Sequence, residues 1–434
     1  MRNSIFTIII ILFSLGVNGQ DTNQNYTKSI TYKKPSTEAS IDVSNPEDAV
    51  VQVSYYDGLG RPIQQIVHKQ SNTGKDIVTH IEYDQFGRQT KEFLPYVTSA
   101  PSLSYIDAPT TIGDLYAFYA DYNGGTSNPF SEKLLENSPL NRVFKQAAPG
   151  DDWALGNGHE IKFDYQTNIS NEVKLFKAKS QWNGTTELYE PTFEFNEHYQ
   201  PNELTKTIIK DENWKSSDNK NNTTEEFKDK AGRVVLKRTY NNDDQHDTYY
   251  IYDQYGNLTY VLPPLASDVT ITPLILDDLC YQYKYDYRNR LVEKKLPGKD
   301  WEYIVYNHQN MPVATGPVKK PWGSTSESEI GWLITKYDAF GRVVYTGYYT
   351  GRTISSNDRK EYQTEQSGLS IFNETISNSF IVDGITLGYT NKVLPVSNFK
   401  MLSINYYDSY DFPYGPNPMP DFVEGQLVAT HVKT

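Results

Sequence analysis

With a single cysteine in 434 residues, Cys280, this chain cannot form an internal disulfide, so its stability must come from core and sheet packing. Leu279 and Tyr281 flank that cysteine, which reads as a buried structural thiol rather than a nucleophile. Basic residues are outnumbered, 41 Lys plus Arg against 54 Asp plus Glu, giving a net charge of -13. That balance argues against nucleic acid and anionic membrane surfaces as partners, since both require basic patches. Long apolar runs are missing after the N-terminus, so no membrane span is expected beyond it. The one apolar stretch, Ile5 to Leu15, follows Arg2 and leads through Val17-Asn18-Gly19 to Gln20, the three-part order of a secretory signal. Residues 1–19 are therefore read as a signal peptide, with a buried strand or an uncleaved anchor as the alternative. The expected location is secreted, cell-surface or periplasmic, and Cys280 lies too far along the chain to be a lipoprotein anchor.

Signatures of chemistry are missing too. The seven histidines are scattered, with no His-Glu-x-x-His spacing, no Gly-x-Ser-x-Gly elbow and no phosphate-binding glycine loop. No catalytic, cofactor or metal residue is assigned. Asn241 to Asp247 is an acidic loop without the spaced ligands of a calcium site, and it reads as a solvated hairpin loop. Asp151-Asp152-Trp153 sets two carboxylates beside an aromatic ring, as a glycosidase cleft would, yet neighbouring residues on a strand face opposite ways.

What the chain has in abundance is tyrosine, 35 in all, a residue suited to a pleated surface with its ring packed and its hydroxyl wet. Much of it sits in a recurring phrase, Tyr-Asp-x-x-Gly-Arg. Four copies keep Tyr, Asp and Gly: Tyr56, Asp57 and Gly60; Tyr83, Asp84 and Gly87; Tyr252, Asp253 and Gly256; Tyr337, Asp338 and Gly341. Three are degraded: Asp229 with Gly232; Tyr285, Asp286 and Asn289; Tyr306, Asn307 and Asn310. Chance predicts fewer than about one full match, so this is a repeat protein.

The repeat identifies a backbone requirement. Its fourth position after Tyr is always Gly or Asn, the residues that accept positive φ most readily. The Asp three residues before can accept amides two residues on, as an Asx-turn. Together they specify a hairpin turn, and each unit reads as strand, turn, strand. Post-turn strands include Arg233 to Tyr240, Asn257 to Leu262 and Arg342 to Tyr348; pre-turn strands include Asp247 to Tyr252 and Leu279 to Tyr285. The Arg after the turn (Arg61, Arg88, Arg233, Arg290, Arg342) reads as a side chain that pairs with the turn Asp and packs on a neighbouring Tyr, rather than as a ligand-binding group.

With these residues the chain resembles the YD-repeat, or Rhs, family from about Val50 to Tyr349. Its opening part, with Tyr56 to Gln64, Glu136 to Val143 and Gln146 to Gly150, is similar to the N-terminal domain common on Bacteroidetes members. The resemblance implies a long β-sheet winding into a hollow shell around a C-terminal toxin or other cargo. The core-associated segment and effector of longer members are not recognised here, and Tyr406-Tyr407-Asp408 is at best one more degraded copy. The expectation is the N-terminal portion of such a protein, with a C-terminal effector or cognate shell segments as partners.

The fold expected is mainly β: antiparallel hairpin repeats forming a long curved or spiralling sheet, with a short helix-containing insert. Its parts are read as a polar leader or edge strand (20–48), a first repeat pair (49–97), an insert that caps the array (98–190), a main array (191–350) and a degenerate β segment with a proline-rich end (351–434). In the insert, Leu115, Phe118, Tyr119 and Tyr122 share one helical face, and Gly124-Gly125 would end that helix. A second short helix is expected over Glu132 to Glu136. Loops are expected over Pro264 to Asp278 and Pro317 to Glu329, short strands at Phe380 to Val382, Ile385 to Leu387 and Val393-Leu394, and an irregular run from Asp411 to Asp421. Three functions remain: a secreted non-catalytic scaffold, a module binding glycans or a cell surface through its aromatic faces, and a β-rich extracellular hydrolase.

Overall fold

The computed structural model describes residues 24–33, 42–99, 101–320, 329–377, 380–382, 384–408 and 427–432. The expected signal peptide, the irregular run from Asp411 to Asp421 and most of the expected loop after Pro317 (321–328) lie outside these residues. The fold is mainly β and antiparallel, with few helices and no closed barrel. It divides into two compact units, Met1–Phe163 with Lys210–Lys215, and Asp164–Ile209 with Ser216–Thr434.

In the first unit, a five-stranded sheet runs in the order Asn25–Tyr32, Ala49–Tyr56, Pro62–Val67, Ile77–His80, Tyr96–Val97. Strict alternation along Ala49–Tyr56 buries Val51, Val53 and Tyr55 on one face, as a half-buried strand requires. Helix Ala108–Asp121 covers that face with Thr111, Leu115 and Tyr119. Asp107 caps it by accepting the Thr110 amide at 3.1 Å. Buried Gln64 ties the helix start to the sheet: its Oε1 accepts the Ile106 amide and its Nε2 donates to the Ile106 carbonyl and Thr111 Oγ1, at 2.9–3.0 Å. After the helix the chain returns to strands at Phe130–Leu135 and Val143–Ala147, which join Lys91–Phe93 from before it.

Glu132 to Glu136 is thus not a helix. Phe130–Leu135 pairs with Lys91–Phe93 on one side and Val143–Ala147 on the other, and Phe130 lies opposite Phe93 in the core. Cross-strand partners override the local helical propensity of Glu, Lys and Leu.

The second unit is a meander. Thr223–Lys228, Val234–Asn241, Asp244–Tyr252, Leu258–Leu262, Tyr281–Tyr285, Leu291–Lys295, Glu302–Tyr306, Pro312–Lys319, Ile330–Tyr337 and Val343–Tyr349 pair in sequence order, followed by Phe399–Tyr407 and Leu427–Val432. A long hairpin, Lys174–Asn183 with Leu188–His198, packs Phe176 and Phe193 against Tyr249 and Tyr260. Cys280 is buried in this core, and burial pushes its thiol up to about 11.

Two further expectations are corrected here. Pro264 to Asp278 forms helices Pro264–Ser267 and Pro273–Leu279 rather than a loop: proline suits the first helical turn, and Thr272 caps the second by accepting the Ile275 amide. After Thr350 the chain forms helix Ser356–Ser367, capped by Ser355, before the small hairpin Ile381–Val382 with Ile385–Thr386; Val393-Leu394 belongs to no strand. That helix buries Arg359, Tyr362 and Gln366, a polar inner face with no apolar periodicity to announce it. Its Tyr362 joins Trp332, Ile334, Val344, Tyr345, Leu387 and Tyr389 in the larger core of the unit.

Candidate functional site

All seven turns close in one way. The amide of the Asp, or of Asn307, donates to the carbonyl four residues on, at 2.9–3.0 Å (Asp57 to Arg61 through Asp338 to Arg342). The amide of the Gly or Asn donates back to the carbonyl of that Asp or Asn at 2.9–3.1 Å. Gly60, Gly87, Gly232, Gly256 and Gly341 have φ of 76 to 84°, and Asn289 and Asn310 have 56 and 60°. Each is a type I turn followed by a left-handed residue, and six of the turns show the accompanying one-residue bulge in the strand register.

Side chains complete the lock. Oδ1 of each turn Asp accepts the amides two and four residues on, as with Leu59 and Arg61 at Asp57 or Phe340 and Arg342 at Asp338, all at 2.9 Å. Where Arg follows, its Nε donates to Oδ2 at 2.7–2.8 Å (Asp57, Asp84, Asp229, Asp286, Asp338). The Arg61 backbone amide does most to hold the Asp57 carboxyl below its ordinary value.

Each turn also reaches into the following one. Arg61 lies over the Tyr83 ring at 4.4 Å, Arg233 over Tyr252 and Arg290 over Tyr306 at 4.8 Å, and Arg342 over Tyr407 at 4.4 Å. Those tyrosines, with Tyr285 and Tyr337, donate their hydroxyls back to the chain just past the preceding turn. The acceptors are the carbonyls of Pro62, Val234, Leu258, Leu291, Pro312 and Val343, at 2.7–3.1 Å. Arg290 Nη1 donates to Asn310 Oδ1 at 3.1 Å, and Arg342 forms an ion pair with Asp408. Where Asn257 replaces Arg, Asp253 Oδ2 instead accepts Ser180 Oγ at 2.8 Å and Gln254 brackets the Ser180 backbone.

One turn of this kind escaped the sequence reading. The Glu136 amide donates to the Arg142 carbonyl at 2.9 Å, Asn141 takes positive φ (52°), and Glu136 Oε2 accepts Arg142 Nε and Nη2 at 2.9 and 2.8 Å. Arg88 reaches it through the Glu136 carbonyl and Asn141 Oδ1. The Arg142 guanidinium pulls the Glu136 carboxyl down to about 2. A Glu in place of Asp and two extra residues hide it from the phrase, but Asn141-Arg142 keeps the Asn-Arg ending of Asn289-Arg290. The Tyr407-Asp408 copy likewise holds its Tyr and Asp in contact with Arg342.

The sequence-level chemical candidates do not converge. Asp151 Oδ1 accepts Thr126 Oγ1 and both the amide and hydroxyl of Ser127, at 2.7–3.0 Å, so it fastens a loop. In the acidic loop, Asp247 pairs with Arg238 at 2.6 and 2.8 Å. No cluster of three metal-ligating side chains occurs among the described residues. What the turns do present to solvent is a set of apolar tips: Leu59, Phe86 and Leu140 in the first unit, Tyr255, Tyr287 and Phe340 in the second, 52 to 80% exposed.

Residues 28–167 match a sequence family described as Domain of unknown function (DUF6443). No curated protein matches the chain. Among solved structures, TcdB2-TccC3-TEV is similar at 15% identity and a TM-score of 0.42, covering 95% of this chain and 18% of that one. TcdB2-TccC3 is similar at 13% identity and 0.41, covering 90% and 19%. TcdB2-TccC3 without its hypervariable C-terminal region gives 14% and 0.40, covering 83% and 15%. This chain therefore spans about a fifth or less of the length of those chains.

Proposed function

We propose that this chain is a secreted, non-catalytic β scaffold, a length of shell wall of the Rhs type that serves export or delivery of a C-terminal effector. The observation that carries the reading is the coupling of turn to turn. Apart from Tyr56, which pairs with Thr27, the Asp, Arg and Tyr side chains of the repeat hold their own turn or a neighbouring one, an arrangement that extends a sheet. The partners of such a wall are cognate shell segments and the cargo it encloses. Coexpression with the cognate repeat and cargo polypeptides, followed by size-exclusion chromatography and protease challenge, tests this. Co-elution with a protected cargo is expected. A chain that elutes alone, or that turns over polysaccharide, peptide or ester substrates in a manner abolished by Asp151→Asn or Asp152→Asn, would overturn it.

The exposed tips favour a second reading, contact with a glycan or cell surface through Tyr255, Tyr287 and Phe340 of the second unit. A glycan array probed with the wild type and the Tyr255→Ala, Tyr287→Ala, Phe340→Ala triple variant separates the two. Binding lost in the variant supports surface recognition, and an empty array removes it.

A further inference from the structure

Within the larger core of the second unit, three side chains from distant parts of the chain meet. Lys336, on strand Ile330–Tyr337, is wholly buried, and its Nζ donates to Asn391 Oδ1 and to the Val393 carbonyl, both at 2.5 Å. Glu374, also wholly buried, has Oε1 at 3.3 Å from the same Nζ. Aromatic rings close the site: Nζ lies 5.2 Å from the Tyr345 ring centre and 5.5 Å from that of Phe399. The Tyr345 hydroxyl stands 3.1 Å from both Glu374 Oε1 and Asn391 Oδ1. Asn391 Nδ2 donates to the Val396 carbonyl, which fixes the amide with its oxygen toward the lysine.

We propose that Lys336 and Asn391 become joined by an amide bond between Nζ and Cγ, formed within the folded chain with Glu374 as the proton carrier. A carbonyl carbon lies about 1.2 Å from its oxygen, which puts Cγ within roughly 3.7 Å of Nζ, close to the approach a reaction needs. Burial draws the ammonium down to about 8, against the opposing pull of Glu374, so a neutral amine is within reach. Glu374 takes one proton from the ammonium, and the freed amine attacks Cγ to form the new C–N bond. The Tyr345 hydroxyl faces the oxygen that gains charge. Glu374 passes its proton to Nδ2 and takes another from the attacking nitrogen. The old C–N bond then breaks and ammonia leaves. Lysine ammonium, glutamate and amide thus yield a secondary amide, ammonia and neutral Glu374, with atoms and charge in balance and no outside reactant. The product also relieves the core of a buried ion pair. Lys206, another buried lysine, pairs with the carboxylates of Glu172 and Glu225, an ordinary salt-bridge setting.

The bond would join positions 55 apart in the sequence, across helix Ser356–Ser367 and the small hairpin, fastening them to the sheet. It does not depend on the scaffold reading. Tryptic mapping by mass spectrometry of the purified full chain tests it. The expected result is a branched peptide joining Lys336 to Asn391, lighter than its two linear parts by one ammonia, about 17 Da. Lys336→Arg and Asn391→Ala must yield only linear peptides. Glu374→Gln, if circular dichroism shows it folded, must stay unlinked, and a linked Glu374→Gln protein would remove the role given to Glu374. Separate linear peptides carrying unmodified Lys336 and Asn391 from folded wild-type protein would overturn the proposal, and that measurement holds even if every variant fails to fold.

Discussion

At the scale of the residue, the repeat is a demand for one left-handed position and one carboxylate. Gly60 has φ of 76° with nothing within 4 Å of where a Cβ would stand, so Gly60→Ala isolates the backbone cost, about 1–2 kcal/mol. Gly87 has the same φ, but its Cβ would meet Arg61 Nη1 at 2.9 Å. Gly87→Ala should therefore lose about 0.5–1 kcal/mol more, as Arg61 is pushed from the Tyr83 ring. Gly60→Asn should cost clearly less than Gly60→Ala, since Asn289 and Asn310 already occupy this position. Urea unfolding of the three variants checks the ranking. The carboxylates make a second prediction. Asp57 and Glu136 have folded-state pKa values below their ordinary 3.8 and 4.5, held there first by the Arg61 amide and the Arg142 guanidinium respectively. A depressed carboxylate stabilises the fold above its unfolded pKa and ceases to as pH falls through the folded one. The urea midpoint should fall as pH is taken from 4.5 to about 2, and Glu136→Gln should make that fall shallower.

At the scale of the element, the unit of stability is a turn together with its successor. A double-mutant cycle on Arg233→Ala and Tyr252→Phe, with Tyr252→Ala as the second cycle, should separate the two halves of the contact. The ring stacking should appear as a coupling of about 0.5–1 kcal/mol in the Tyr252→Ala cycle and be absent from the Tyr252→Phe cycle, since phenylalanine keeps the ring. No coupling in either cycle would mean that neighbouring turns are independent. Sequence spoke clearly at this scale wherever the physics is local. Asp and Gly three apart, and Leu115 and Tyr119 on one helical face, carry their structure in a few adjacent letters. The helix Ser356–Ser367 did not, because its inner face is Arg359, Tyr362 and Gln366 and its apolar partners lie elsewhere in the chain. The Glu136 turn was masked by a longer acid and a longer loop. The meeting of Lys336 with Glu374 and Asn391 spans 38 and 55 residues, and no local pattern encodes it.

At the scale of the whole molecule, each unit has its own core, and the second is anchored by Trp332, Ile334, Val344 and Tyr345, all fully buried. Hydrogen exchange should be slowest in Ile330–Tyr337 and Val343–Tyr349. It should be fastest among the strands in Asn25–Tyr32, which is the outer member of its sheet and buries no side chain. Mass-detected deuterium uptake checks this, and comparable protection in both places would contradict it. The turn-to-turn contact has a consequence for how such a chain changes length. A complete copy, such as the one at Tyr285 and Arg290, carries both a plug, its arginine, and a socket, its tyrosine, so a duplicate of it arrives already able to join the neighbours on either side. Growth or loss of a unit then asks for no matching change elsewhere. A copy that loses its plug, as at Asn257 or Met311, breaks that interchangeability and fixes its own place in the order, as the grip of Asp253 and Gln254 on Ser180 already does.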